Sequence, residues 1–326
     1  MIPPTPQQPR EITGHTRVTG VSGHTRVTAV TGHTRVTGVT GHTRVTGVIG
    51  WPVEHSVSPA MHNAAYAALG LDWCYLPFPV PPDSLPEAIA GVRALGLAGV
   101  NVTVPHKEAL LPLMDELTPA AAAVGAANTV IVQDARLIGH NTDAGGFLRA
   151  LREAGCEPVG IPALVLGAGG AARAVVYALL EAGAEVTILN RTVARAVALA
   201  RDLSRGGDGA VRAAPLGLDA LRPLAPRARL VVNATSVGMW RAGGAEADGS
   251  PWPEALPFPV DALAYDLVYN PRETAFMRQA RAVGARAING LGMLVHQGAE
   301  AFERWTGVAA PVDVMAQACA RALGGG

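Results

Sequence analysis

Lysine is all but missing from this sequence: of 26 basic residues, 25 are arginine and one, Lys107, is lysine. Arginine replaces lysine wherever a solvated positive charge suffices. A guanidinium does not deprotonate in a protein, so a compact ammonium that exchanges a proton has to remain lysine. Lys107 is therefore either a candidate acid/base or an accidental survivor on a surface helix. Cysteine is scarce too. Cys74, Cys156 and Cys319 are odd in number and contain no C-x-x-C, which excludes a disulfide framework or zinc ribbon, gives no reason to expect a metal, and fits a reducing cytoplasm. Excess charge is absent: 26 basic residues balance 26 acidic ones, which argues against nucleic-acid and polybasic membrane partners. No apolar run reaches the roughly 18 residues that a membrane span needs. The opening MIPPTPQQPR has no apolar signal core, so a cytoplasmic protein is expected. What is present is apolar material, 49% of 326 residues, enough for a large core and about two domains.

Within the first 49 residues a nine-residue unit occurs four times, starting at Gly14, Gly23, Gly32 and Gly41. Each copy alternates as a short strand does. The last runs into Gly50-Trp51-Pro52 and reads as the first strand of the fold. The earlier copies have no evident sheet position, so residues 1–42 are expected to be a dispensable, mostly disordered extension. Their histidines, His15, His24, His33 and His42, read as passengers of a duplicated strand in preference to metal ligands.

Two α/β patterns follow. Residues 43–146 mix short strands with helices near Ser58–Leu69 and Leu85–Ala94. From Ala163, the order strand, glycine-rich turn, helix, strand marks a βαβ unit, continued by a helix near Val193–Leu203, strands in RLVVNATS and AYDLVY, and a helix near Thr274–Val283. The tail, 294–306 and 312–323, is helical, and 241–259 reads as a surface loop.

The turn Gly167-Ala168-Gly169-Gly170-Ala171-Ala172 fits G-x-G-x-x-A between a strand and a helix. Gly167 permits the tight turn and Gly169 lets backbone approach a pyrophosphate. Gly170 and Ala171 open the helix whose free N–H groups hold the anion, and Ala172 is small enough for helix–strand packing. An NAD site usually carries an acidic residue about 20 residues further on. Here the second strand ends in Asn190-Arg191-Thr192, with Arg195 one turn later. With no carboxylate to repel a 2′-phosphate and an arginine to pair with it, the expected cofactor is NADP. The alternative for Arg191 is a surface residue at a strand end.

Four dense polar segments precede this unit: 55–59 (HSVSP), 101–107 (NVTVPHK), 127–129 (ANT) and 141–143 (NTD). They offer hydroxyls, amides, one carboxylate and one ammonium, a set suited to a small polyhydroxylated anion. With GWPVEHSVSPAMHN (50–63), GVNVTVPHK (99–107), GAANTV (125–130), GHNTDAGG (139–146), GAGGAARAV (167–175), NRT (190–192), NATSVGM (233–239), YDLVYNPRET (265–274) and GLGMLVHQGAEAFERWTG (290–307), the chain resembles the shikimate/quinate dehydrogenase family over roughly residues 43–323. The repeat ahead of residue 43 is a departure from that pattern.

The resemblance implies an N-terminal α/β substrate domain, 43–146 plus 294–326, and a doubly wound Rossmann-type NADP-binding domain, 147–293, with substrate in the cleft between them. It implies reversible NADP-linked reduction of 3-dehydroshikimate to shikimate, in the biosynthesis of chorismate and the aromatic amino acids. It assigns Ser56, Ser58 and Tyr269 to the substrate carboxylate, and Thr103, Asn128 and Gln297 to ring hydroxyls. Lys107 and Asp143 become the catalytic pair, while Asn233, Thr235, Ser236, Gly292 and Met293 line the nicotinamide side. Two of these have structural alternatives, since Ser58 before a proline and Asp143 before a helix both suit N-caps. Quinate or NAD use within the family, and a non-catalytic nucleotide-binding paralogue, stay open as rival readings. A homodimer is the assembly considered.

Overall fold

The computed structural model describes residues 17–21, 24–28, 36–204, 211–239 and 249–324. Within the repeat, β1 (Arg17–Val21), β2 (His24–Thr28) and β3 (Val36–Val39) form an antiparallel sheet of their own. The early copies thus find a sheet position after all, by pairing with one another. The expected disorder of the other residues before 36 lies outside the described residues.

The last copy becomes β4 (Arg44–Gly50), an inner strand between parallel β5 (Trp73–Pro79) and β6 (Gly99–Val102). Residues 46–50 are all buried, as expected of a strand covered on both faces. Gly47 belongs there because a Cβ would run into the Leu76 carbonyl and the Phe78 ring. β7 (Glu116–Leu117), β8 (Thr129–Gln133) and β9 (Arg136–His140) complete a mixed sheet ordered β5-β4-β6-β8-β9-β7. Helices α1 (Ser58–Ala68), α2 (Leu85–Ala94) and α3 (Pro119–Val124) belong to this first unit.

Helix α4 (Asp143–Glu153) leads to the second unit: β10 (Pro162–Leu166), α5 (Gly170–Glu181), β11 (Glu185–Asn190), α6 (Val193–Leu203), β12 (Val211–Pro215), α7 (Leu218–Leu224), β13 (Leu230–Asn233), β14 (Leu263–Asp266), α8 (Ala275–Ala282) and β15 (Ala287–Ile288). Its six strands are all parallel in the order β12-β11-β10-β13-β14-β15. That is the doubly wound Rossmann order, with its reversal, the place where such sheets bind ligands, between β10 and β13.

Two helices then return to the first unit, α9 (Leu291–Thr306) and α10 (Val312–Gly324). Val295, Phe302, Trp305, Met315 and Cys319 share one core with Met61, Tyr66 and Tyr75. The Trp305 indole donates to the Val130 carbonyl at 3.0 Å, which ties α9 to β8. The helices expected from sequence appear within a few residues of their expected ends. Sequence reading did not pick out β7, β12, α3, α7 or the β8–β9 hairpin. That hairpin turns through Asp134 and Ala135 at φ of 49° and 59°, without the Asn-Gly signal that usually marks a two-residue turn.

Candidate active site

The substrate side of the site is assembled at the carboxyl ends of β6 and β9. After β6, the chain passes Thr103, whose N–H donates to Ile49 O at 2.9 Å, and reaches Lys107. After β9, Asn141-Thr142-Asp143 opens α4. Asp143 is the first residue of that helix, and it is Asn141 Oδ1 that accepts from the Ala144 N–H, at 3.2 Å. The cap role is therefore met by Asn141, and the Asp143 carboxylate is free for other partners.

Of those partners, Lys107 is the one expected from sequence. Lys107 Nζ donates to Asp143 Oδ2 at 2.5 Å, with side chains 13% and 6% exposed. Asn128 Nδ2 donates to Asp143 Oδ1 at 2.9 Å, to Thr142 Oγ1 at 3.0 Å and to Gln297 Oε1 at 3.3 Å. Its own Oδ1 accepts the Thr142 N–H at 2.8 Å. Lys107, Asn128, Asp143 and Gln297, spread over the chain, thus lie in one buried polar cluster. Thr142 joins them as a residue not singled out alone, although it lies inside a noted segment.

Behind them, Tyr75 OH donates to Asn101 Oδ1 at 2.8 Å, and Asn101 Nδ2 reaches Thr129 Oγ1 at 3.1 Å. Burial holds the Tyr75 phenol well above its usual range, against a hydrogen bond with Ser58 that works the other way. The His62 ring stacks on Tyr75 at 4.3 Å between centroids. Neither of its ring nitrogens has a partner among the described residues, and complete burial pushes its pKa down to about 3.

Ser58 is buried, whereas Ser56 is half-buried and its Oγ accepts the Ser58 N–H at 3.3 Å. Tyr269, from the second unit, packs against the core of the first, and burial raises its pKa to about 12.

The dinucleotide turn lies on the facing unit. Gly167 has φ of +119°, and a Cβ there would sit 2.8 Å from Ala234 O, so only glycine fits. A Cβ at Gly169 would meet nothing within 4 Å, which leaves its surroundings open to a ligand. At Gly170 the neighbour comes from the first unit: a Cβ would lie 3.2 Å from that of Lys107. Ala172 is fully buried in the core between helix and sheet, the packing role read from sequence. The backbone turn, the open space at Gly169 and the exposed Arg191, Thr192 and Arg195 at the end of β11 fit a phosphorylated dinucleotide. Asn190 Nδ2 donates to Thr192 O at 3.0 Å and shapes that corner.

After β13, Asn233 is a hub of the fold. Its Oδ1 accepts from Thr235 N and Oγ1 at 3.0 and 2.7 Å, and its Nδ2 donates to Asp266 at 2.9 Å. Asp266 also accepts from Thr274 Oγ1 at 2.6 Å and Val268 N at 3.0 Å. Burial outweighs these three donors and raises its pKa to about 6. Ser236 is exposed, Gly292 lies against Ala150, and Met293 is buried in the core beneath the second sheet. Sequence reading did not single out Asp266 or Thr274 as the support of this loop: Asp266 lies 33 residues from Asn233, and Thr274 acts through Asp266.

A Rossmann sheet with a glycine turn, facing a largely buried Lys–Asp pair across the junction of two units, defines a dinucleotide-dependent oxidoreductase. Comparison narrows the class. Family models match in three parts: the shikimate dehydrogenase substrate binding domain over residues 48–130, shikimate / quinate 5-dehydrogenase over 157–239, and the shikimate 5′-dehydrogenase C-terminal domain over 290–319. The chain is 49% identical over 282 residues to shikimate dehydrogenase (NADP(+)) of Moorella thermoacetica, covering 85% of this chain and 92% of that enzyme. The crystal structure of shikimate 5-dehydrogenase from Thermus thermophilus in complex with NADP(H) and shikimate aligns with a TM-score of 0.75 at 46% identity, covering 86% of this chain and 100% of that one. The chain belongs to the shikimate dehydrogenase family.

A further relative bears on the extension. Shikimate dehydrogenase (NADP(+)) of Geobacter sp. strain M21 is 48% identical over 315 residues, 96% of this chain and 97% of its own. A match that long has to enter the repeat, so the segment ahead of residue 43 has a counterpart in at least one relative.

Proposed function

We propose that this chain catalyses the reversible NADP-linked reduction of 3-dehydroshikimate to shikimate. The observation that carries the reading is the 2.5 Å bond between Lys107 Nζ and Asp143 Oδ2, beside the first residue of α5. Bound NADPH supplies the hydride. As the hydride reaches the carbonyl carbon, the C=O π electrons move onto oxygen, and a donor within hydrogen-bond reach has to neutralise the growing negative charge. Lys107 meets both needs, since its ammonium stabilises the oxyanion and passes it a proton. In the reverse direction the amine takes the hydroxyl proton. Asp143 fixes the direction in which Nζ points and Asn128 fixes Asp143, so the donor is set before substrate arrives.

The remaining roles follow the same reading. Ser56, Ser58 and Tyr269 hold the substrate carboxylate, while Thr103, Asn128 and Gln297 hold ring hydroxyls. Gly167, Gly169, Gly170 and Ala171 cradle the pyrophosphate through their backbone. Asn190, Arg191, Thr192 and Arg195 face the 2′-phosphate, and Asn233, Thr235, Ser236, Gly292 and Met293 border the nicotinamide. The proposed division places 43–146 and 294–326 in the substrate domain and 147–293 in the nucleotide domain.

A homodimer in the cytoplasm is the assembly this reading carries, and light scattering in solution tests its mass. Among the described residues, no helix is long and apolar enough to cross a membrane.

Quinate is the rival substrate. A quinate dehydrogenase from Corynebacterium glutamicum in complex with NAD aligns with a TM-score of 0.75 at 32% identity, covering 85% of this chain and 98% of that one. The exposed arginines after β11 favour NADP, and together with the two small serines, Ser56 and Ser58, they favour shikimate. Absorbance at 340 nm with shikimate and NADP, run beside quinate and NAD, tests the choice. Faster turnover in the first pair is expected; faster turnover in the second, or none in either, overturns the reading.

A further inference from the structure

Arg173 has no part in the roles above, since the glycine motif ends at Ala172. Its guanidinium nevertheless leaves its own unit. Nε donates to Val124 O at 2.8 Å, Nη2 pairs with Asp202 Oδ2 at 3.1 Å, and the side chain is 15% exposed. Val124 is the last residue of α3, in the first unit. Gly125 follows it at φ of +69°, and a Cβ there would lie 2.5 Å from Arg173 Nη2. The guanidinium therefore fills the space that a side chain at 125 would take.

From Gly125 the chain enters the catalytic cluster within three residues. Asn141 Nδ2 donates to Ala126 O at 2.9 Å, Ala127 N donates to Lys107 O at 2.9 Å, and Asn128 Nδ2 reaches Asp143 Oδ1 at 2.9 Å. One turn before Arg173, Gly170 packs against the stem of Lys107. A single turn of α5 thus touches the catalytic lysine with one residue and holds the segment that orients it with another. Its leading edge is the Gly169 backbone offered to the cofactor.

We propose that Arg173 is a positioning residue that couples occupation of the dinucleotide site to the placing of Lys107 and Asn128. The proposal rests on the shikimate and NADP reading. An anion seated on the first turn of α5 fixes that turn. Because Arg173 ties it to the end of α3, the 125–128 segment is fixed with it. Asp202 holds the second edge of the guanidinium and keeps Nε aimed at Val124.

The test uses the full chain with NADPH and shikimate, both reduced, so that a ternary complex forms without turnover. The readout is the ratio of shikimate Kd without and with NADPH. A wild-type ratio in the usual range of coupling, about 5–150-fold, is expected. In Arg173→Met the ratio falls toward one while the Kd of NADPH alone stays within about threefold, and kcat drops roughly 10–100-fold, the scale of a small misplacement at a reacting centre. Arg173→Lys keeps a charge for Asp202 but not the two-edged geometry, and recovers part of the ratio.

A wild-type ratio of one overturns the proposal. So does an unchanged ratio in Arg173→Met, or a loss of NADPH affinity as large as the loss in kcat. Should Arg173→Met not fold, Arg173→Lys and Asp202→Asn decide: smaller ratios support the coupling, and wild-type ratios in both overturn it. Wild-type shikimate oxidation separates the two readings. An active wild type with uncoupled binding sinks only the Arg173 role, whereas an inactive one sinks the functional reading and this proposal with it.

Discussion

The two ends of the cleft are built on opposite plans. At the substrate end, Asn128, Thr142, Asp143 and Gln297 are buried and hydrogen-bonded to one another, and Lys107 is held by a partner of opposite charge. At the cofactor end, the glycine turn offers backbone, while Arg191 and Arg195 stand exposed and pair with no carboxylate among the described residues. The difference matches the ligands proposed above. A small hydroxylated ring is placed by short, directional bonds, and these need groups oriented beforehand. A phosphate is held by charge and by N–H groups at a helix start, so a long, solvated arginine can swing to it.

If this contrast is right, damage at the two ends separates rate from cofactor affinity. The largest effect is expected at the buried pair. Lys107→Ala or Asp143→Ala should lower kcat by about 10²–10⁴-fold, the scale of a positioned proton donor. The Kd of NADP should stay within a few fold. Near-normal turnover in a folded variant, or loss of cofactor affinity matching the loss in rate, would break the comparison.

Acid acts on the two units in opposite senses. His62, in the first unit, is held neutral with a pKa of about 3. Below about pH 6.5 the unfolded chain takes up a proton that the folded one refuses, so its contribution to stability is lost as pH falls. Asp266, in the second unit, has a pKa of about 6. The folded state takes its proton before the unfolded one does, so its contribution grows as pH falls from about 6 towards 4. Between pH 7 and pH 5 the first costs roughly 2 kcal/mol and the second returns roughly 1. Urea melts at both pH values check this: His62→Phe should flatten the acid loss, and Asp266→Asn should steepen it. The same slope in all three proteins would remove both assignments.

An effect smaller than that at the Lys107–Asp143 pair is expected at the exposed end. Arg191→Ala removes a charge-assisted bond to the 2′-phosphate, worth about 1.5–3 kcal/mol, so the preference for NADP over NAD should fall roughly 10–100-fold. The KM for shikimate should barely move. Unchanged cofactor preference would mean that the arginine merely caps β11.

The contrast also explains what was readable beforehand. Lys107 stood out because composition removed every other lysine, and the glycine turn because a strand and a helix flank it. The supports were not readable, since their partners are far apart in the chain. His140 Nε2 meets Glu300 Oε1 at 2.8 Å across 160 residues, and Arg173 meets Val124 across 49. Local periodicity holds no trace of such pairs. The serines show a subtler limit. Sequence reading gave both Ser56 and Ser58 to the substrate carboxylate, with a cap as the alternative for Ser58; in the fold it is Ser56 Oγ that accepts a backbone N–H at the helix start, while Ser58 is buried beside Tyr75. An N-cap and a ligand hydroxyl use the same atom types, and only packing tells which is which.

The smallest expected effect concerns a third region. β1, β2 and β3 pair among themselves and add no strand to either enzyme sheet. β4 pairs with both β5 and β6, and Thr43 Oγ1 already bonds Asp72 at 2.6 Å. Among the described residues, no hydrogen bond to Lys107 or to the glycine turn comes from ahead of that point. Deleting residues 1–41 should therefore leave kcat and both Michaelis constants within about twofold and Tm within a few degrees, the range of a change of about 0.5 kcal/mol. The Geobacter relative sharpens the test, because a segment with a counterpart elsewhere has a reason to matter. If the truncated chain loses activity or stability, the extension is part of the enzyme. If it keeps both, whatever the first three copies do lies outside the cleft.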